Sequence, residues 1–177
     1  MQERTFSLRR VAQIRAVVAV AWAAALVTAL GGDPDAAASV PTVAALLLVA
    51  YPLIDVLSSA IEARGRRALL PIAGGLISLV ASIGLAVATG TADAGATLAV
   101  FGVWAVVSGA VLLGTALVRR RAGSRELPMI ISGGLSTLAG LSFVAGSTQD
   151  VAHLTMLAGY ATVGAVLYLV WSARADR

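Results

Sequence analysis

Cysteine is absent from the chain, so no disulfide and no thiolate metal site can form. A single histidine, His153, cannot build a multi-histidine metal site. Lysine and asparagine are missing too, and all 13 basic residues are arginine. With abundant Ala, Gly and Val, that skew is of the kind a GC-rich bacterial genome produces. Charge of either sign is scarce: 12% of the 177 residues are charged, against about 25% in soluble domains. No nucleophile–base pair, phosphate-binding loop or metal cluster stands out. The chain therefore reads as non-enzymatic and free of cofactor.

Hydrophobic residues make up 59% of the chain, and mean hydropathy is +0.91. The stretch Phe101 to Gly146 sets the pattern. Two apolar segments flank a basic hinge, Arg119-Arg120-Arg121 with Arg125. Each is about 20 residues, the length that crosses ~30 Å of hydrocarbon as an α-helix. The rest of the chain repeats that theme. The reading is an all-α, polytopic membrane protein, one integral domain over residues 1–177. Six transmembrane helices are expected at about 11–31, 42–61, 69–89, 96–118, 128–146 and 151–173. The first segment also has the basic start and apolar centre of a signal peptide, with Ala36-Ala37-Ala38 as a cleavage site. A retained helix is preferred because it completes an even set of spans. Ser39 and Pro41 suit the start of the second helix. Ser147-Thr148-Gln149-Asp150 reads as a capping box for the sixth.

Arginine assigns the sides. The lead and first turn carry Arg4, Arg9, Arg10 and Arg15. The loop after the second segment carries Arg64, Arg66 and Arg67, and the tail carries Arg174 and Arg177. The alternate loops hold Asp33, Asp35, Asp93 and Asp150 and no arginine. The positive-inside rule then puts both termini in the cytoplasm and the acidic loops outside. The pI of 10.6 would suggest nucleic acid in a soluble protein. Here the arginines belong to loops and ends that meet anionic headgroups, so membrane lipids and not nucleic acid are the expected partners.

An internal repeat runs through these segments. Leu70-Pro71 and Leu127-Pro128 open the third and fifth, each followed by Gly-Gly-Leu, at 74–76 and 133–135. The even segments carry Tyr51/Asp55, Trp104/Ser108 and Tyr160/Gly164 four residues apart. Three helical hairpins inserted in parallel are the expectation, related by an axis along the membrane normal. Small-residue faces would hold them together: Gly74, Ser78 and Ser82; Ser132, Ser136 and Gly140; Ala105/Gly109 and Ala110/Gly114. A glycine-lined cleft is the functional alternative. The tryptophans, Trp22, Trp104 and Trp171, read as packing or belt residues.

Ionisable groups at membrane depth are costly and pair or face a polar interior. Arg15 and Asp55 are such groups. Antiparallel numbering puts them at one level, roughly 7–10 Å inside the inner boundary at 1.5 Å per residue. They read as a structural ion pair or as a proton- or ion-responsive site. Pro52 frees the Leu48 carbonyl and kinks the second helix. Tyr51, Asp55 and Ser59 form a polar stripe, and Tyr160 and Tyr168 another. The stripes either bond helix to helix or line a shared cavity. His153, near Asp150, is a candidate pH-sensitive group because imidazole changes charge near neutral pH. The plainer reading is an interfacial histidine.

Phe101-Gly102-Val103-Trp104, Ser108-Gly109, the arginine hinge, Pro128-Met129-Ile130, Ser132-Gly133 and Leu138-Ala139-Gly140 resemble the HdeD-like family of short-repeat bacterial membrane proteins. Tyr51-Pro52 with Asp55, and Gly159-Tyr160 with Gly164, extend the resemblance over almost the whole chain, nearest to the actinobacterial branch. The resemblance implies six helices, a place in the bacterial plasma (inner) membrane and a link to acid stress. It supplies no catalytic residues. Two functions stay open. One is a non-enzymatic envelope or acid-stress protein acting through packing, a second copy or another membrane protein. The other is a small transporter or channel with an interior polar site around Asp55. The lack of native cysteine makes topology directly testable. Single cysteines at Ser39, Thr91 and Ser147 should label from outside intact cells, and one at Ser124 should not; outside labelling at Ser124 would overturn the assignment.

Overall fold

The computed structural model describes residues 2–31, 40–63, 69–91, 93–121 and 127–174. Within these, the side chains of 2–12, 15, 61–62, 168 and 170–174 lie outside the description. Six α-helices are found among the described residues: α1 Gln2–Ala29, α2 Thr42–Glu62, α3 Leu69–Gly90, α4 Ala94–Arg121, α5 Leu127–Gly146 and α6 Thr155–Arg174. Ser39 lies outside the described residues.

The ends differ from expectation where side chains capture backbone groups. The α4 helix starts earlier because Asp93 caps it. Its Oδ1 accepts the Ala96 N–H at 2.8 Å and its carbonyl accepts the Thr97 N–H at 3.0 Å. The capping box expected for the sixth helix does not form, and α6 begins later, at Thr155. Ser147 to Gln149 instead finish α5. The Ser147 N–H reaches the Phe143 carbonyl at 2.9 Å, and the Ser147 and Thr148 hydroxyls donate to the Val144 and Ala145 carbonyls at 2.7 and 3.1 Å. These bonds satisfy carbonyls that the end of α5 would leave open.

Four helices are long and apolar enough to cross a membrane, over Thr42–Ala60, Leu69–Gly90, Ala94–Arg121 and Leu127–Gly146. Shorter apolar stretches, Ala16–Ala29 and Thr155–Leu167, lie in α1 and α6. Large apolar side chains cover the outside of the bundle, Val17, Leu46, Leu57, Val80 and Leu138 among them. Water rarely tolerates such continuous apolar cover; acyl chains match it.

Each helix packs against its neighbours in chain order, and α6 packs back against α1, closing a ring. The most extensive pair is α4–α5, followed by α2–α3 and α1–α6; α3–α4 is intermediate, and α1–α2 and α5–α6 touch over short stretches. The expected hairpins are thus in contact, yet the two most extensive pairs, α4–α5 and α2–α3, are those joined at the end bearing Arg119–Arg121. That end is called the basic end below, and the opposite one the acidic end.

Glycine explains the closest pair. A Cβ on Gly140 would sit 2.6 Å from the Gly102 carbonyl oxygen, and one on Gly133 would sit 2.8 Å from the Gly109 carbonyl oxygen. Gly102/Gly109 and Gly133/Gly140 are spaced seven residues apart and meet in antiparallel order. Seven residues is two helical turns, so both contacts fall on one seam. Gly114 faces away, with nothing within 4 Å of its Cβ position, and Ala110 is exposed. The Ala110/Gly114 pair therefore lies outside the seam. In α2–α3, a Cβ on Gly75 would lie 3.1 Å from the Ser59 Cβ.

Alanine at Gly133 or Gly140 should lower thermal stability in detergent by about 1–3 kcal/mol, the usual cost of overpacking. Gly134→Ala, where nothing lies within 4 Å, should be neutral or gain up to about 1 kcal/mol of helix propensity. Equal losses at all three positions would contradict the seam.

Candidate functional site

The inward stripe of α2 builds the site. Ala44 and Leu48 are fully buried, and Tyr51, Asp55 and Ser59 continue the stripe half-buried. Leu46, Leu53 and Leu57, on the opposite side, are exposed. Pro52 is buried within the helix. The side-chain donor that reaches this region comes from α1: Trp22 Nε1–H donates to the Leu47 carbonyl at 2.7 Å, one residue before the carbonyl that Pro52 leaves without its helical donor.

Asp55 is tied to α3 and α4 through a fully buried serine. Trp104 Nε1–H donates to Ser78 Oγ at 3.1 Å, and the Ser78 hydroxyl donates to Asp55 Oδ2 at 3.2 Å. The direction is fixed by chemistry. An indole N–H can only donate, so the serine must accept from it and turn its own proton to the carboxylate. Ser82, one turn along α3, is buried and donates to the Ser78 carbonyl at 3.0 Å. Gly74 leaves room beside Ser59, with Oγ 3.7 Å from its Cβ position. The polar stripe of α2 and the small-residue face of α3 therefore meet.

An aromatic cluster fills the middle of the ring. Phe101 is fully buried and touches Tyr51, Trp104, Phe143 and Tyr160, with ring centroids 5.2–6.3 Å apart. Tyr51 in turn packs on Trp22 at 4.4 Å and edge-on to Trp104 at 5.8 Å. Through these rings and Ser78, all six helices meet at one level. Edge-to-face pairs add about 0.5–1.5 kcal/mol each beyond area burial.

The hydrogen bonds of this layer repeat. Trp22 to Leu47, Ser78 to Trp104 and Ser136 to Tyr160 link the two helices of each successive hairpin, at separations of 25, 26 and 24 residues. In the third, Ser136 Oγ and Tyr160 Oη lie 2.9 Å apart.

The remaining sequence candidates fall as follows. Gly109 and Gly140 lie in the α4–α5 seam. Ser136 is beside Gly109 and bonded to Tyr160, while Ser132 is half-buried. His153 is half-buried in the turn before α6, its carbonyl accepting the Met156 N–H at 3.1 Å; Asp150 is exposed. The side chains of Arg15 and Tyr168 lie outside the described residues, as does that of Trp171. Sequence reasoning missed Phe101, Phe143 and the Trp104–Ser78 bond, and missed Gly102 and Gly133 as seam residues. The seven-residue spacing of those glycines was the available signal.

Comparison with protein-family models, with curated proteins and with solved structures returned no match.

A double-mutant cycle tests the buried chain. Trp104→Phe and Ser78→Ala should each destabilise the protein in detergent. Their effects should couple by about 0.5–1.5 kcal/mol, the net worth of a buried hydrogen bond. Strict additivity would show the two side chains to be energetically independent.

Proposed function

We propose that this chain is a non-enzymatic, multi-pass protein of the bacterial plasma membrane, related to the HdeD-like family and serving the envelope under stress, acid stress included. In this reading all six helices span, and both termini are cytoplasmic. Support for six spans comes from the closed ring, in which α1 and α6 are neighbours of membrane-length helices, and from the one-sided placement of arginine.

The observation that carries the functional reading is the filled centre. Six aromatic residues from five helices occupy the level where a conduit would have to pass. Rings packed in this way favour a rigid bundle over a standing pore. A second reading, a small transporter, is favoured by one feature: Asp55 is inward-facing and hydrogen-bonded through Ser78, and an intramembrane carboxylate is costly to keep without use.

Two measurements separate them. Proteoliposomes holding the purified protein should keep a pH gradient as long as empty vesicles do. Cells lacking the protein should survive acid challenge less well, and wild-type expression should restore them. Rapid gradient collapse, abolished by Asp55→Asn, would replace the packing reading with the transport one. Unchanged survival would remove the stress assignment.

A further inference from the structure

The borders between helices are unequal, and the inequality has a pattern. The α6–α1 contact is extensive, yet the other two borders of that pair, α1–α2 and α5–α6, are the two shortest contacts in the ring. Both helices of the pair bury small residues, Ala16 and Ala23 on α1 and Ala158, Ala161 and Ala165 on α6, as close helix contact in lipid requires. The helices from α2 to α5 are joined at every step. The α4–α5 and α2–α3 pairs are the most extensive, and α3–α4 is intermediate. Asp55 of α2, Ser78 of α3 and Trp104 of α4 share one hydrogen-bonded chain, and the glycine seam fastens α4 to α5. The packing thus divides the ring into a body of two helices, α6–α1, and a body of four, α2–α5.

The described hydrogen bonds between the two bodies both lie in the aromatic layer. At α1–α2, Trp22 Nε1–H donates to the Leu47 carbonyl at 2.7 Å, and the indole packs on the Tyr51 ring at 4.4 Å. At α5–α6, Ser136 Oγ and Tyr160 Oη lie 2.9 Å apart. The Tyr160 ring meets Phe143 and Phe101 edge-on, with centroids 5.8 and 6.3 Å apart. Packed elements shift as rigid bodies across the interfaces that hold them least.

We propose that α1 and α6 move as one body against α2–α5, pivoting on the aromatic layer, and that the Trp22–Leu47 and Ser136–Tyr160 bonds are two latches that hold the closed arrangement. A body that pivots at mid-depth swings most at its ends while its own helix–helix contact stays intact, as in the rocking of membrane bundles. The pivot keeps the centre filled, so the motion requires no pore and is compatible with either functional reading above. The tilt is passed to the basic end, where α1 begins at Gln2 and α6 finishes at Arg174.

The test places spin-label pairs in the full chain, which has no cysteine of its own, reconstituted in lipid vesicles. Four exposed positions near the acidic end serve: Val27 on α1, Val43 on α2, Leu141 on α5 and Met156 on α6. Val27→Cys/Met156→Cys reports on the smaller body, and Val43→Cys/Leu141→Cys on the larger. Val27→Cys/Leu141→Cys and Val43→Cys/Met156→Cys report across the two. With both latches intact, distance distributions across the bodies should be wider than those within them. Trp22→Phe with Tyr160→Phe removes both latches and keeps a ring at each position. It should shift the cross-body distances by about 1–2 Å or more, the scale of helix shifts at interfaces, and leave the within-body distances unchanged. Equal widths for all four pairs with the latches intact would overturn the two-body division, whether or not the latch variant folds. So would a latch variant in which the within-body pairs broaden as much as the cross-body pairs, because the whole bundle would then be loosening. A folded latch variant with cross-body distances like the wild type would overturn the role given to the two bonds.

Discussion

Helices in lipid gain nothing from hiding apolar surface from one another, because acyl chains are as apolar as leucine. Close approach at small residues has to supply the attraction. The α4–α5 seam meets that constraint most directly, with glycine opposite glycine at two levels and backbone atoms where side chains would be. The α2–α3 pair meets it with Ser59 against Gly74 and Gly75. These contacts fix which faces turn inward, and the inward faces then deliver Tyr51, Phe101, Trp104, Phe143 and Tyr160 to one layer. The polar chain from Trp104 through Ser78 to Asp55 follows from the same rotation of the helices.

That order of causes accounts for the unequal packing of the hairpins. Each hairpin carries a hydrogen bond between its two helices in the aromatic layer, which gives a contact at one level. Contact between α1 and α2 and between α5 and α6 is otherwise short. Extended contact instead runs between α2 and α3, between α4 and α5 and between α6 and α1. The two shortest contacts in the ring, α1–α2 and α5–α6, both lie within hairpins, while the α3–α4 hairpin is intermediate.

Helix number, approximate bounds and the inward orientation of the α2 stripe were legible because they depend on local composition and on a period of 3.6 residues. Tyr51, Asp55 and Ser59 share a face whatever the helix packs against. The partner of that face was not legible. Gly74, Ser78 and Ser82 stood out as a separate seam, and only the register of α2 against α3 joins the two. The same limit applied to Phe101 and Phe143, which are ordinary apolar residues until four helices, α2, α4, α5 and α6, bring rings together around them. At the ends of helices local rules failed where two elements competed for the same residues: Ser147 to Gln149 fit the start of α6 by pattern, yet serve the end of α5. Asp93 was an ordinary cap signal that an expected start at residue 96 passed over.

The orientation of Asp55 and the buried hydrogen-bond chain both depend on the apposition of the α2 stripe with the small-residue face of α3. Disulfide trapping in native membranes measures it without interference from other thiols, because the chain has no cysteine. The Ser59→Cys/Gly75→Cys pair starts from Cβ positions 3.1 Å apart, a few tenths of an ångström inside the usual disulfide range of about 3.5–4.5 Å. It should close rapidly under mild oxidation. Leu57→Cys/Gly75→Cys, with Leu57 66% exposed on the opposite side of α2, should not close within one chain. Efficient closure of the second pair with failure of the first would mean that α2 is rotated by about half a turn from the orientation described.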